Sequence, residues 1–181
     1  MIEVLNIFFY NYHGTHWSIF MDKNILKEQL PRYREIPNVG LYLEQVVKYI
    51  NETLEPLHIC ITPSMLSNYV KKGYIERPVK KQYYAEQIAY LIFIVVAKQV
   101  LSMDHIAALL TLQKATYSVE EAYNYFCTEL ERMIKVTFGE CEELESIPED
   151  IPYEKKALRS VVISVSHIIY LNYCFENSLL P

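Results

Sequence analysis

The segment that most constrains the fold of this chain runs from Ile61 to Ile94 and reads ITPSMLSNYVKKGYIERPVKKQYYAEQIAYLIFI. Thr62 followed by Pro63 is a strong helix start. A threonine hydroxyl accepts hydrogen bonds from first-turn amides, and proline at the first helical position gives up a donor that has no partner there. Gly73 suits the left-handed residue that ends such a helix. The segment therefore predicts a short helix, a tight turn and, after a proline-interrupted stretch, a second and more apolar helix.

Positive charge is concentrated in the same segment. Between Thr62 and Tyr84 there are five cations and one acid, Glu76, so this window has a net charge of +4, whereas the whole chain has −5. The rest of the chain therefore carries −9. The cations are Lys71, Lys72, Arg77, Lys80 and Lys81. An acidic body with one basic surface is typical of a protein that binds a polyanion selectively.

Composition favours a mostly helical fold. The 181 residues include only four glycines, and 51% of them are hydrophobic, which allows a sizeable core and disfavours a turn-rich sandwich or barrel. The four cysteines have neither zinc-ligand nor redox-pair spacing, so we expect reduced thiols and neither a metal nor a cofactor. They are Cys60, Cys127, Cys141 and Cys174.

The chain is expected to be cytoplasmic and to have no membrane partner. Its longest apolar run, Ile88 to Ala97, is about half the length that a helix needs to cross a bilayer. The first twenty residues lack the basic start and the cleavage site of a signal peptide. Because MDKNILKEQL opens with polar residues, a further hypothesis is that translation starts at Met21.

Hydrophobic spacing predicts further elements on both sides of the basic segment. Before it, one helix should bury Leu41, Val46, Val47, Ile50 and Leu54, with Glu44, Lys48 and Asn51 largely opposite. After it, we expect a small β wing over Val79 to Tyr83, a buried helix over Ala85 to Leu101 and a helix that begins near Ser102. A capping box at Ser118 and Glu121 predicts a helix that ends before Gly139. An acidic linker then precedes a final helix from about Tyr153 to Asn177, whose stripe is Leu158, Val161, Val162, Val165, Ile168, Ile169 and Asn172.

The helix that starts at Thr62 has the side chains that reading a DNA major groove requires. Such a helix needs short polar groups that reach base edges, flanked by cations that hold phosphates. Asn68 is the best base-reading candidate, since asparagine can form paired hydrogen bonds with adenine. Ser64 and Ser67 suit either bases or phosphate, and the five cations suit the DNA backbone. The alternative is that these charges are merely solvated surface, but they flank a capped helix and a glycine turn in an otherwise acidic protein.

The same stretch resembles the MerR-type winged helix-turn-helix, whose pattern is L-R-Y-Y-E-x-x-G-L-I followed by a wing that ends R-x-Y. The matching residues run from Leu66 to Ile75, with Lys81, Gln82 and Tyr83 at the end of the wing. Ser67 and Asn68 stand where that family has Arg and Tyr. From about Leu30 to Leu110 the chain also resembles the YkrK-like bacterial family of unknown-function domains, which is thought to comprise DNA-binding regulators.

These resemblances imply a mostly α, MerR-like winged helix-turn-helix with a small β wing, followed by C-terminal helices. The implied regions are an extension over 1–29, a DNA-binding domain over 30–117 and a dimerisation or effector region over 118–181. The implied partner is double-stranded DNA, bound by a homodimeric, sequence-selective transcription regulator. The predicted contact residues are Thr62, Ser64, Ser67, Asn68, Lys71, Lys72, Arg77, Lys80, Lys81 and Tyr83.

An enzyme is the less favoured alternative. His13 and His16 have a metal-like spacing, but Gly14 interrupts it and no third ligand is near. His105 fits a solvent-facing or capping position, and His167 fits a core or interface position, better than either fits catalysis. No phosphate-binding loop, nucleophile elbow or paired-carboxylate signature is present. We therefore predict no catalytic residues.

A third reading is a protein-interaction module in which the helix-turn-helix serves as a scaffold. The apolar stripe of the final helix suits either a core or a dimer seam. In the MerR-like relatives a C-terminal helix pairs two subunits, which makes recognition of a palindrome an expectation for this chain. A small-molecule effector pocket built from Tyr123, Tyr125, Phe126 and Tyr170 is a further expectation, although these side chains would equally serve a plain core.

Overall fold

The computed structural model describes residues 29–140 and 151–177. In these ranges six α-helices follow one another: α1 Leu43–Leu54, α2 Pro63–Lys71, α3 Ala85–Ala97, α4 Met103–Thr116, α5 Val119–Thr137 and α6 Tyr153–Glu176. Two short strands, β1 Leu41–Tyr42 and β2 Gln82–Tyr83, pair antiparallel. The mostly α fold with a small β element is therefore confirmed. The predictions for His13, His16, Met21 and Cys141, and for most of the acidic linker, lie outside the described residues.

Helix α1 is amphipathic as predicted, with one difference at its start. Val46, Val47, Ile50 and Leu54 are buried. Leu41 is not a helical residue, because the chain is extended up to the N-cap Tyr42, and Leu41 pairs with Tyr83 in the two-stranded sheet. The predicted helix was wrong at this end because strand pairing with a segment forty residues away decides the backbone there.

Helix α3 occupies the centre of the core. Eleven of its thirteen residues are buried, which agrees with the uniformly apolar pattern of this helix. It ends at Ala97 and not at Leu101, because Gln99 and Val100 donate to carbonyls three residues back and form a turn. The chain must then be extended at Ser102, whose hydroxyl accepts from the His105 amide at 3.3 Å and caps α4.

The bounds of the C-terminal helices agree with the prediction, but Asn172 of the predicted apolar stripe of α6 is exposed, so its assignment to that stripe is wrong. Ser118 and Glu121 form both halves of the predicted capping box of α5, and Gly139 follows that helix with φ +78°. Helix α6 packs along α5. Phe138, just past the end of α5, makes edge contacts with the rings of Tyr170 and Tyr173, at centroid distances of 5.3 and 5.5 Å. Tyr170 thus packs at the end of α5, away from the cavity that Tyr123 lines, so its predicted place in the same pocket is wrong.

A single hydrophobic core joins the two parts of the described chain. Buried side chains form one cluster that extends from Leu30 to Tyr173. Arg32 adds a two-pronged ion pair to Glu131 of α5, with nitrogen–oxygen distances of 2.8 and 2.7 Å. By length and composition alone α6 resembles a membrane-crossing helix, as core helices also do, and 44% of its apolar window is buried in this fold.

Candidate nucleic-acid interface

Helix α1 holds the start of α2 through one side chain. The Asn51 amide oxygen accepts from the Ile61 backbone N–H at 2.8 Å, and its amide nitrogen donates to the Ile61 carbonyl at 3.1 Å. Both backbone groups of the residue before the Thr62 cap are thereby satisfied. Asn51, predicted to lie largely opposite the apolar side of α1, is half-buried. The paired bonds set the geometry of the turn between the two helices.

Helix α2 has one buried and one exposed face. Thr62 caps it, accepting from the Met65 amide at 3.2 Å, and Pro63 is its first residue. Leu66 and Tyr69 are buried. The exposed stripe is Ser64, Ser67, Asn68 and Lys71. These residues recur at three- and four-residue intervals, which places them on a single side of the helix.

The end of α2 has the bonds of a Schellman motif. The Gly73 amide donates to the Val70 carbonyl at 3.1 Å, and the Tyr74 amide donates to the Tyr69 carbonyl at 3.0 Å. Gly73 has φ +79°, which confirms the predicted left-handed cap. Lys72 is the C-cap residue and is exposed. The motif stops the helix directly after its two lysines and turns the chain towards the wing.

The segment predicted as the wing forms a two-residue hairpin with lysines at both turn positions. Val79 and Gln82 exchange backbone hydrogen bonds of 3.0 and 2.9 Å across the turn. Between them Lys80 has φ +50° and Lys81 has φ +66°. Positive φ at both positions defines a type I′ turn, which strongly prefers asparagine and glycine. Lysine is strained in this conformation, and both side chains are exposed.

Buried polar and aromatic groups support the base of the wing. The Gln87 amide donates to the carbonyls of Glu76 and Arg77 at 3.1 and 3.3 Å, and its oxygen accepts from the Tyr84 N–H at 2.9 Å. Tyr83, predicted as a contact residue, is only 3% exposed. Burial raises the pKa of its phenol. The Tyr83 side chain therefore packs in the core, where it holds β2 in place and does not reach a surface ligand.

The five cations of the α2 and wing surface have no carboxylate partner among the described residues. Four cations elsewhere do: Arg32, Arg34, Lys48 and Arg132 pair with glutamates at 2.6 to 3.7 Å. All five residues of the basic set are exposed: Lys71, Lys72, Arg77, Lys80 and Lys81. The helix α2 and the hairpin thus present positive charge that no carboxylate in residues 29–140 or 151–177 pairs with.

Of the ten predicted contact residues, the structure leaves nine at the surface and buries Tyr83. Asn51 and Gln87 position the surface from beneath, and sequence reasoning missed both. The sequence gives a weak indication of the role of Gln87, because it lies three residues after Tyr84 at a helix start, which is the spacing of a capping box. The sequence gives no such indication for Asn51, because its hydrogen-bond partners are the backbone groups of Ile61, ten residues later. In the described ranges no group of three His, Cys, Asp or Glu side chains could hold a metal.

The fold defines a small, mostly helical protein with a two-stranded antiparallel sheet and two long C-terminal helices. Residues 31–126 match a family described as "Domain of unknown function (DUF1836)". The match covers more than half of the chain, and the chain belongs to this family. It runs from the start of the described region through the first two turns of α5. No curated protein and no solved structure matches the chain.

Proposed function

We propose that this protein is a sequence-selective regulator of transcription that binds double-stranded DNA as a MerR-type winged helix-turn-helix. The main support for the proposal is the set of five exposed cations on α2 and the hairpin of an acidic protein, none of which pairs with a carboxylate in the part of the chain that the structure describes. A surface of this kind binds phosphates and releases their counterions. The order of helix, glycine turn, basic hairpin and buried helix is also the order that a winged helix-turn-helix needs.

Within this surface, Asn68 is the base-reading residue of the proposal. It lies on the exposed stripe of α2, with Ser67 beside it and Ser64 and Lys71 on either side. An asparagine that forms paired hydrogen bonds with adenine contributes about 1–3 kcal/mol of discrimination. The lysines contact phosphates, which fixes the register of the helix but carries no sequence information.

The strained hairpin supports the same assignment. Residues held in rarely occupied backbone regions concentrate at functional sites, because selection there favours the side chain over stability. Lys80 and Lys81 occupy positions where asparagine and glycine would relieve the strain, as their φ values of +50° and +66° show. A role for both charges at the tip of the wing explains why lysines are used there.

Pairing of two copies through α6 completes the proposal. Leu171 and Phe175 lie one turn apart on this helix and are 40% and 68% exposed. Two such side chains next to each other are candidates for an isologous interface, in which the same surface of both subunits meets. A two-fold dimer would place two α2 helices on the half-sites of a palindrome. The same two residues favour the second candidate function, a protein-interaction module without DNA binding.

Selection of genomic DNA fragments by the purified full-length protein tests the proposal. We expect enrichment of fragments that share an inverted repeat. Uniform recovery would refute sequence-selective binding and favour the interaction module. On an enriched fragment, replacing Lys71 and Lys72 with alanine should weaken binding to all duplexes and lower the salt slope by about 2. Asn68→Ala should mainly reduce the preference among sequences.

A matched control separates the basic surface from net charge. Lys48→Ala removes one cation from α1, where it pairs with Glu52 at 3.7 Å. It should leave DNA binding near that of the parent protein. If the Lys71 and Lys72 double variant also bound like the parent, α2 would not be the DNA-contacting helix.

A further inference from the structure

A second site lies away from the DNA-facing surface. A cavity of about 370 Å³, open to solvent on one side, lies between α3, α4, α5 and the start of α6. Six aromatic side chains line it: Tyr90, Phe93, Tyr117, Tyr123, Tyr125 and Phe126. Its volume is in the range of small-molecule sites, and its predominantly apolar walls are typical of them.

The cavity exists because α4 does not pack closely on the helices below it. Only Ile106 and Leu110 of its fourteen residues are buried. Leu109 and Leu112 remain half-buried and line the cavity. The opposite wall is firm, since the ring of Phe93 packs edge-on against Phe126 at 5.3 Å between centroids. The space is therefore a gap between preformed walls, which a flat molecule can enter without unfolding the core.

The group of the cavity that a negatively charged ligand can meet is the Lys155 ammonium, which shares the lining with two carboxylates. The Lys155 ammonium lies 5.0 Å from the ring centre of Tyr125 and 5.6 Å from that of Tyr117, and it forms no salt bridge with a described carboxylate. Of the two lining carboxylates, Glu121 accepts hydrogen bonds from the Ser118 amide and hydroxyl, which lower its pKa. The other, Glu154, is the residue before Lys155.

We propose that this cavity binds a small aromatic anion, such as an aromatic carboxylate. The ring lies between the aromatic walls, and the acid group meets the Lys155 ammonium. A cationic ligand is disfavoured, because Lys155 already occupies the electron-rich faces of Tyr117 and Tyr125 and would repel it. Gln113 supplies a neutral polar group at the same wall, with its amide donating to the Tyr117 carbonyl at 2.8 Å and accepting from the Tyr90 hydroxyl at 3.3 Å.

Helix α3 connects this cavity to the wing. Tyr90 lines the cavity, and Gln87, one turn earlier, holds the carbonyls of Glu76 and Arg77 at the base of the hairpin. A ligand in the cavity would therefore contact the same helix that supports the hairpin. Any regulatory consequence of this contact rests on the proposed DNA-binding function, whereas the ligand site itself does not.

Three probes that share a naphthalene ring and carry a negative, a neutral and a positive substituent test the site on the full-length protein without DNA. They are 2-naphthoate, 2-naphthol and 2-naphthylmethylammonium, with binding measured by titration calorimetry and by saturation-transfer NMR. We expect 2-naphthoate to bind tightest and the ammonium compound weakest. Lys155→Gln should weaken 2-naphthoate about tenfold and leave 2-naphthol unchanged. The neighbouring Lys156→Gln is the matched control and should change neither.

Ala122→Trp tests the location, because Ala122 is half-buried and lines the cavity. A tryptophan there should abolish binding of all three probes. If circular dichroism shows that this variant does not fold, the comparison of the three probes and the Lys155→Gln variant still test the proposal. Absence of binding at millimolar concentration, tighter binding of the ammonium compound, or an unchanged affinity of Lys155→Gln for 2-naphthoate would overturn the proposal. Because no DNA is present, none of these outcomes depends on the proposed DNA binding.

Discussion

Replacing Lys80 and Lys81 with asparagine and glycine should make the protein more stable and at the same time a weaker DNA binder. The two lysines form the type I′ turn of the wing with φ +50° and +66°, where a non-glycine residue carries a steric cost of about 1 kcal/mol or more. Glycine removes this cost at the second position, and asparagine tolerates the conformation at the first. Part of the gain is offset, because glycine adds about 0.5–1 kcal/mol of unfolded-state entropy.

The net expectation is a gain of about 1 kcal/mol in the free energy of unfolding, or about 2–4 °C in the melting temperature of a chain of this size. Urea and thermal unfolding followed by circular dichroism measure it. DNA affinity, measured by fluorescence anisotropy on an enriched fragment at several salt concentrations, should fall. The loss of two phosphate contacts should reduce the slope of log K against log salt by about 1.8.

A double alanine variant of Lys80 and Lys81 separates charge from strain. Alanine removes both cations but keeps a side chain at each positive-φ position, so this variant should lose DNA affinity without the gain in stability. A loss of stability in the asparagine and glycine variant would refute the strained turn. An unchanged salt slope in both variants would refute the wing as a phosphate contact.

Three further outcomes are expected. Gly73→Ala should lower the free energy of unfolding in urea by about 1 kcal/mol, entirely through its φ of +79°, since a Cβ there meets no atom within 4 Å; an unchanged midpoint would contradict this. Burial raises the pKa of Cys127 to about 12. Ellman's reagent at pH 8 should therefore label the exposed Cys60 in the folded protein and Cys127 only after unfolding. Rapid labelling of Cys127 in the native state would disprove its burial. Replacing Leu171 and Phe175 with serine should shift the mass in light scattering from dimer to monomer without a change in helicity; a parent protein that is already monomeric would remove the proposed seam.

Elements whose signals are local were predictable from sequence. The start of α2 follows from Thr62 and Pro63, and its end follows from Gly73. The start of α5 follows from the reciprocal bonds of Ser118 and Glu121. In each case the groups that make the capping bonds lie within a few residues of one another. The residues of about one helical turn are therefore enough to predict where the helix begins or ends.

Elements that depend on distant partners were not predictable. Leu41 has the spacing of a helix residue but becomes a strand residue, because Tyr83 pairs with it. Tyr83 resembles a wing contact in sequence, yet the sheet turns its ring into the core. Tyr170 has the same character as Tyr123 and Tyr125 but packs on Phe138 at the end of α5. A list of aromatic residues does not reveal which of them share a cavity.

The order of residues along the chain therefore decided where the helices begin and end, and it concentrated five cations in one short segment, because caps, hydrophobic periods and charge are properties of neighbouring residues. Only tertiary packing decided that these cations pair with no carboxylate among the described residues. It also decided that the Asn51 side chain binds both backbone groups of Ile61 and that a cavity remains beneath α4. These features depend on which surfaces meet in three dimensions. The sequence shows which residues each surface contains, but it does not show which other surface of the protein packs against it.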